Sequence, residues 1–185
     1  MKVNHFLSAT LFAFVMATGA ASAQEKSVMV GGAAMYPSKN IIENAVNSKD
    51  HTTLVAAVKA AELVETLSSK GPFTVFAPTN AAFDKLPKGT VETLLKPENK
   101  KMLQGILTYH VVAGKMNAKD IAAAIKAGNG KATLTTVQGG KLVGSMEGKN
   151  LILTDEMGNK STVTVADVNQ SNGVIHVIDA VVMHQ

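Results

Sequence analysis

Residues 71–86, "GPFTVFAPTNAAFDKL", decide the fold because they combine a short strand, a sharp turn and the start of a helix. Residues 73–76 alternate in strand fashion and follow a Gly-Pro pair, which is a strong break in any preceding helix. Pro78 disfavours helical backbone at Ala77 and therefore fixes a turn. The segment predicts a strand that leads through this turn directly into a helix.

Two polar side chains, Thr79 and Asn80, follow the turn. Either one supplies an oxygen that accepts a hydrogen bond from an amide at the start of the helix, whose Phe83 then packs inward. A catalytic interpretation needs a neighbouring acid, base or nucleophile, and the local sequence supplies only Asp84. We therefore predict that the corner from Pro78 to Phe83 is structural.

Helical spacing dominates the first half of the chain and strands dominate the second. Residues 51–71 have the pattern of one helix, residues 90–107 that of two helices divided at Pro97, and residues 117–128 that of a capped helix. After Lys131, five β-type runs are separated by turns rich in glycine and asparagine. Helices inserted among strands and followed by a meander of strands predict an α+β domain.

The N-terminal residues have the pattern of a cleaved secretory signal. An apolar run over residues 6–20 is followed by Ala-Ser-Ala, small residues at which a signal peptidase cuts. We therefore predict a signal peptide over residues 1–23, a linker or N-terminal extension over 24–36 and one folded domain over 37–185. The protein is then exported to the periplasm or the extracellular space, and it does not span a membrane after cleavage.

The composition excludes several classes of site. The 185 residues include no cysteine, so the chain has neither disulfides nor a thiolate nucleophile or metal ligand. All 18 basic residues are lysines, and arginine is the usual residue for bidentate recognition of phosphate and guanine. We therefore predict no nucleic acid partner. The formal net charge of +4 favours acidic polysaccharide or anionic envelope surfaces instead.

Tyr109 and His110 lie in "TYHVVAGK", residues 108–115, whose β-branched and aromatic character predicts a strand that ends at Gly114. Neighbouring side chains of a strand point to opposite faces, so one of the two is expected to be buried at least in part. We predict that His110 hydrogen-bonds at the edge of the core and braces its strand against the corner at residues 78–80.

His176 and Asp179 lie in the last β-type run, "GVIHVIDAVVM", where the alternation places Asp179 on an apolar face. A carboxylate there needs hydrogen-bond donors, because burying a bare charge costs several kcal/mol. The amides at the start of the helix near Thr79 and Asn80 are the partners that we expect, since a helix N-terminus favours negative charge.

Three alternatives to a purely structural interpretation of these residues remain open. Methionine and histidine side chains supply soft ligands for a periplasmic copper site, although the chain has no Met-x-x-Met or His-x-His cluster. A periplasmic module for another small ligand is a second alternative, and a hydrolase with an unrecognised site is a third. The chain lacks the common hydrolase, metalloprotease, phosphate-loop and calcium-loop motifs, so we predict no enzyme, no cofactor and no metal. The residues considered as copper ligands are Met29, Met35, Met102, Met116, Met146, Met157, Met183, His51, His110, His176 and His184.

Three segments together resemble the fasciclin domain family. "GPFTVFAPTNAAFDKLP" resembles its first signature, "TYHVVAGK" its Tyr-His segment, and "NGVIHVIDAVVM" its second signature, in the family's order. The resemblance implies a β-wedge or sandwich of about seven strands with an associated helical layer. It is strongest to the small secreted, single-domain bacterial members.

The same resemblance implies a function. Family members commonly act in adhesion or in binding extracellular matrix, and the Tyr-His segment is linked in the family both to fold stability and to receptor binding. Tyr109 and His110 are therefore the candidate partner-binding residues. We expect a non-enzymatic module, monomeric or weakly associating, that docks to cell-surface or matrix polysaccharide or protein through a surface patch.

Overall fold

A computed structural model describes residues 26–184 of the protein. The predicted signal peptide lies outside these described residues, and within them no helix is long and apolar enough to cross a membrane. The helices are α1 (Ile41–Ala45), α2 (Thr52–Ala60), α3 (Val64–Ser68), α4 (Asn80–Asp84), α5 (Thr90–Leu94), α6 (Lys100–Tyr109) and α7 (Ala118–Ala127), with 3-10 turns at Lys49–His51 and Pro97–Asn99. The strands are β1 (Val28–Val30), β2 (Ala33–Met35), β3 (Phe73–Pro78), β4 (Val111–Ala113), β5 (Lys131–Thr135), β6 (Lys141–Glu147), β7 (Asn150–Thr154), β8 (Lys160–Gln170) and β9 (Gly173–Ile178).

A seven-stranded mixed sheet organises the domain, in the order β4-β3-β9-β8-β7-β6-β5. The strand of the first signature, β3, pairs in parallel with the last strand, β9, so the two signature segments lie side by side in the sheet. The sheet nearly closes on itself, because Val112 of β4 bridges to Thr136 just after β5. The predicted α+β wedge of about seven strands with a helical layer is confirmed.

The two faces of the sheet bury separate cores. Val75 and Ala77 of β3 point into a core shared with α1 to α6, and Phe76 points the other way. The second core fills the inside of the curved sheet, where Ile121 of α7 covers strands β5 to β7. The strict alternation along β3 therefore places the corner at Thr79 between both cores.

The segment predicted to be a linker is folded over most of its length. Residues 28–35 form the hairpin of β1 and β2, which turns at Gly31-Gly32, both with positive φ. Val30 and Met35 are buried in the helical core. The sequence did not indicate this hairpin within the linker or N-terminal extension, because alternation over three-residue strands is too brief to distinguish from irregular chain.

The single helix predicted over residues 51–71 is two helices, α2 and α3. Glu62 adopts a left-handed φ of 57°, and the Leu63 amide bonds back to the Val58 carbonyl, which ends α2. Glycine is the usual residue at such a position, and its absence hid the break. The division at Pro97, the helix over 117–128 and the strands after Lys131 agree with the prediction, except that β9 ends at Ile178.

Candidate functional site

The corner after β3 holds two helices together. The Thr79 side chain accepts a hydrogen bond from the Ala82 amide at 3.2 Å and caps α4, as predicted. Phe83 is buried in the helical core, also as predicted. Asn80, by contrast, reaches to another helix: its Oδ1 accepts from the Thr53 amide at 3.0 Å, at the start of α2. Both polar side chains thus accept hydrogen bonds from backbone amides at the start of a helix.

Asn80 also fixes the 3-10 turn that precedes α2. Its Nδ2 donates to the Lys49 carbonyl at 2.9 Å, and its Oδ1 receives a second hydrogen bond from the Thr52 hydroxyl at 3.2 Å. One amide side chain therefore pairs with backbone groups, at the helix start and in the turn before it, that would otherwise bond to water. This explains why an asparagine follows the capping threonine.

Asn80→Ala is expected to lower the free energy of unfolding by about 1–2 kcal/mol, because it removes a helix cap and a turn contact together. Urea denaturation monitored by circular dichroism measures the change. Asn150→Ala is the matched control, since Asn150 is exposed on β7. A loss no greater than that of the control would contradict the role assigned to Asn80.

Tyr109 and His110 do not lie on a strand. Tyr109 is the last residue of α6 and His110 caps the helix, so β4 begins only at Val111. Both side chains are buried, with 0 % and 3 % of their surface exposed. A partner has no access to either side chain in this structure, and their role in partner contact stays a prediction.

The Tyr109 hydroxyl connects the start of β6 to the turn after β7. It donates to the Lys141 carbonyl at 2.7 Å and accepts from the Glu156 amide at 3.2 Å. Burial raises the pKa of the Tyr109 hydroxyl to about 12, and the hydrogen bond from Glu156 opposes this rise in part. The ring also contacts His184, with 5.6 Å between the ring centroids.

His110 braces the C-terminal segment rather than the corner at residues 78–80, so the predicted contact is wrong. Its Nδ1 lies 2.8 Å from the Ile106 carbonyl, and its Nε2 lies 3.2 Å from the Val182 amide. These partners assign the neutral ring with its proton on Nδ1. Burial lowers the pKa of His110 to about 4, which keeps the ring neutral at physiological pH.

His176 is fully buried at the centre of the sheet. Its Nε2 lies 2.8 Å from the Met116 carbonyl and its Nδ1 accepts from the Asp167 amide at 3.3 Å. Phe76 stacks on the ring at 5.6 Å. Burial lowers the pKa of His176, so this ring too is a neutral structural bridge.

Asp179 has hydrogen-bond donors, as predicted, but not those predicted. Its Oδ1 accepts from the Thr162 amide of β8 at 2.7 Å, and its Oδ2 lies 3.7 Å from Lys85 Nζ. The Thr79 amide bonds instead to the backbone carbonyl of Ile178. Asp179 therefore ties the end of β9 to β8 and to the residue after α4.

Two further anchors hold the C-terminal segment, residues 179–184. The Ser161 hydroxyl donates to the Ala180 carbonyl at 2.9 Å, and Asp155 accepts from the Met183 amide at 2.9 Å. Asp155 also accepts from the Asn159 amide at 2.8 Å, which shapes the turn after β7. Side chains, rather than a strand ladder, thus fix the last residues of the domain.

Asn172 is a structural residue that the sequence did not reveal. It lies in the turn between β8 and β9, is almost fully buried and hydrogen-bonds to two helices at once. Its Oδ1 accepts from the Ile41 amide at 3.0 Å, and its Nδ2 donates to the carbonyls of Leu67 and Ser69 at 2.8 and 2.7 Å. An Asn-Gly pair is a common turn signal, which explains why its side chain attracted no other interpretation.

The methionine side chains considered for copper differ in exposure. Met29, Met102 and Met157 are exposed, whereas Met35 is buried in the helical core. Within residues 26–184, no three histidine, aspartate or glutamate side chains form a group that could hold a metal ion. The nitrogens of His110 and His176 are both engaged by backbone groups.

The exposed aromatic surface lies on the N-terminal hairpin. Met29 pairs with Ala34 across β1 and β2, and Tyr36 follows on the same side, opposite to buried Met35. We call this surface, formed by Met29, Ala34 and Tyr36, the hairpin face. Of the tyrosine and phenylalanine side chains in residues 26–184, Tyr36 alone is exposed, and Lys39 Nζ lies 5.6 Å from its ring centroid.

Comparisons with known proteins agree with this geometry. A sequence model of the fasciclin domain matches residues 49–184. Protein sll1483 of Synechocystis sp. is 48% identical over 189 residues, which cover 98% of this chain and 96% of that protein. Immunogenic protein MPB70 of Mycobacterium bovis is 33% identical over 207 residues, which cover 99% of this chain and 98% of that protein.

A solved structure shares the fold. A FAS1 domain pair from the insect cell adhesion molecule Fasciclin I superposes with a TM-score of 0.71 at 17% identity, over 86% of this chain. This chain spans 58% of that one, which contains two domains. Together with the sequence matches, the shared architecture defines the class: the chain belongs to the fasciclin domain family.

Proposed function

We propose that this protein is an exported, non-enzymatic adhesion module that docks to cell-surface or matrix polysaccharide or protein. The family includes cell adhesion proteins, and the N-terminal residues have the pattern of an export signal. The observation that carries the proposal is the separation of two sets of side chains. Polar side chains of the signatures are engaged inside the fold, while apolar and aromatic ones are exposed on the hairpin face.

The engaged side chains argue for binding rather than catalysis. Nucleophiles and general bases act by exchanging protons with a substrate, which needs a free nitrogen or oxygen at an accessible site. His110 and His176 offer none, and Thr79 and Asn80 are used as caps. The hydrogen bonds of these side chains hold the helices against the strands.

The hairpin face has the properties of an adhesive contact. Tyrosine and methionine are enriched in protein interfaces, and an exposed tyrosine ring also offers an apolar face with a polar hydroxyl. Tyr36 is held in place, since its backbone amide and carbonyl both bond to the Asn44 side chain, at 3.1 and 2.8 Å. Tyr109 and His110 then affect binding only indirectly, by keeping the fold intact.

Tyr36→Ala is expected to weaken retention of a partner by about tenfold, the size of a single aromatic anchor. The protein, immobilised on beads, is incubated with envelope extract and with exopolysaccharide, and the bound fraction is quantified. Val137→Ala is the matched control, because Val137 is an exposed apolar residue outside the hairpin. Equal loss in both variants, or none in either, would contradict a contact on the hairpin face.

A further inference from the structure

An apolar groove opens between α1, α2 and α3. Its floor is formed by buried side chains of β3, β4 and α6, including Val75, Leu107 and Val111, and the half-buried Ile42 and Val55 lie at its mouth. The groove measures about 530 Å³ when its solvent-open part is included, but only about 40 Å³ of it can hold the centre of a water-sized sphere. An occupant must therefore lie along the groove, with one side in contact with solvent.

Two smaller apolar spaces adjoin the groove. One, of about 30 Å³, shares Leu67 and Leu107 with it, and the other, of about 20 Å³, shares Leu54 and Val75. Protein interiors leave few voids larger than a water molecule, and each void forfeits contacts among the side chains around it. An apolar occupant would restore these contacts, so its binding should stabilise the fold.

The groove offers an occupant almost no hydrogen bonds. His110 contributes to the floor, but both of its ring nitrogens are engaged by Ile106 and Val182. Burying an uncompensated polar group costs free energy, so the part of a ligand that enters the groove must be apolar.

A single cation lies at the rim. Lys59, in the last turn of α2, is exposed and lines the groove. The ion pairs of the described residues, Lys85–Asp179, Lys100–Glu62 and Lys160–Glu147, do not include it. Lys59 also lines a neighbouring surface depression together with Glu62 and Glu65, and Glu62 is already paired with Lys100. Lys59 therefore offers an anionic group a partner next to an apolar surface.

We propose that this groove binds a long-chain carboxylate, with the alkyl chain along the α1–α3 groove and the carboxylate at Lys59. The negative charge of the carboxylate complements Lys59 at the rim. The alkyl chain complements the apolar side chains at the floor and mouth of the groove. This site is separate from the hairpin face and does not depend on the adhesive function.

The test uses dodecanoate below its micelle concentration, with thermal unfolding and calorimetric titration as readouts. Butyrate, which lacks the chain, and dodecanol, which lacks the charge, are the control ligands. We expect a saturable rise in melting temperature with dodecanoate, a smaller one with dodecanol and none with butyrate. No saturable rise with dodecanoate, or an equal rise with butyrate, overturns the proposal.

Three variants locate the site. Lys59→Gln should weaken dodecanoate binding roughly two- to fivefold, the size of one exposed ion pair, and leave dodecanol binding unchanged. Lys101→Gln, an exposed lysine of α6, is the matched control and should change neither. Val55→Phe should fill the mouth of the groove and abolish the binding of both dodecanoate and dodecanol. Equal effects of the two lysine variants, or undiminished binding to Val55→Phe, overturn the proposal.

Discussion

Asn172→Ala is expected to lower the free energy of unfolding by about 3 kcal/mol, because it leaves several buried backbone groups without partners. The side chain serves the Ile41 amide at the start of α1 and the Leu67 and Ser69 carbonyls at the end of α3. Removing it therefore removes the hydrogen bonds that hold both α1 and α3 to the β8–β9 turn. Equilibrium denaturation in urea, with the slope of the transition held as a check on two-state behaviour, measures the change.

Asn172→Asp keeps the shape of the side chain and removes only its amide donor, so it tests the hydrogen bonds alone. The variant keeps an acceptor for the Ile41 amide but directs a carboxylate oxygen at the two carbonyls of α3. It should therefore destabilise the fold at neutral pH by at least as much as alanine. Asn150→Ala, exposed on β7, is the control and should stay within about 0.5 kcal/mol of the original protein. An effect of Asn172→Ala as small as this would contradict the role of Asn172.

The stability of the fold is expected to fall by about 3 kcal/mol between pH 6.5 and pH 4 through His110 alone. Burial lowers the pKa of His110 from 6.5 to about 4, so within this window the unfolded chain binds a proton that the folded chain does not. The contribution of His110 is therefore complete above pH 6.5 and is lost as the pH falls towards 4. His51 and His176, whose pKa values are lowered by burial too, change stability in the same direction.

Proton NMR tests the cause directly. The ring resonance of His110 should stay constant between about pH 8 and pH 5, because the neutral ring is held by Ile106 and Val182. His110→Gln cannot titrate, so its stability should depend less steeply on pH, by at most about 1.4 kcal/mol per pH unit. A His110 resonance that titrates near pH 6.5, or an unchanged slope in His110→Gln, would contradict the assignment.

The sequence predicted local relations well and distant ones poorly. Thr79 caps the helix that immediately follows it, a contact over three residues that the spacing alone indicates. Asn80 accepts a hydrogen bond from the Thr53 amide, 27 residues earlier, and nothing in the local pattern reveals such a partner. The partner of Asp179 was missed for the same reason, since Thr162 becomes its neighbour only when β8 pairs with β9.

In the Tyr-His segment, the strand pattern of the following valines hides the end of helix α6. Val111 and Val112 are typical of a strand, and the strand prediction extended from them back over Tyr109 and His110. The structure continues α6 to Tyr109 because Leu103, Ile106 and Leu107 bury one face of that helix. Packing against the sheet thus outweighs the weak helix propensity of threonine and tyrosine at its end.

The most direct test of the proposed function compares Tyr36→Ala with Tyr109→Phe for retention of envelope or matrix partners. Tyr109→Phe removes only a buried hydroxyl, so a folded sample should retain partners as the original protein does. Tyr36→Ala removes the exposed ring and should lose about tenfold in affinity. Loss of retention in folded Tyr109→Phe, with Tyr36→Ala unchanged, would contradict adhesion through the hairpin face and return the contact to the Tyr-His segment.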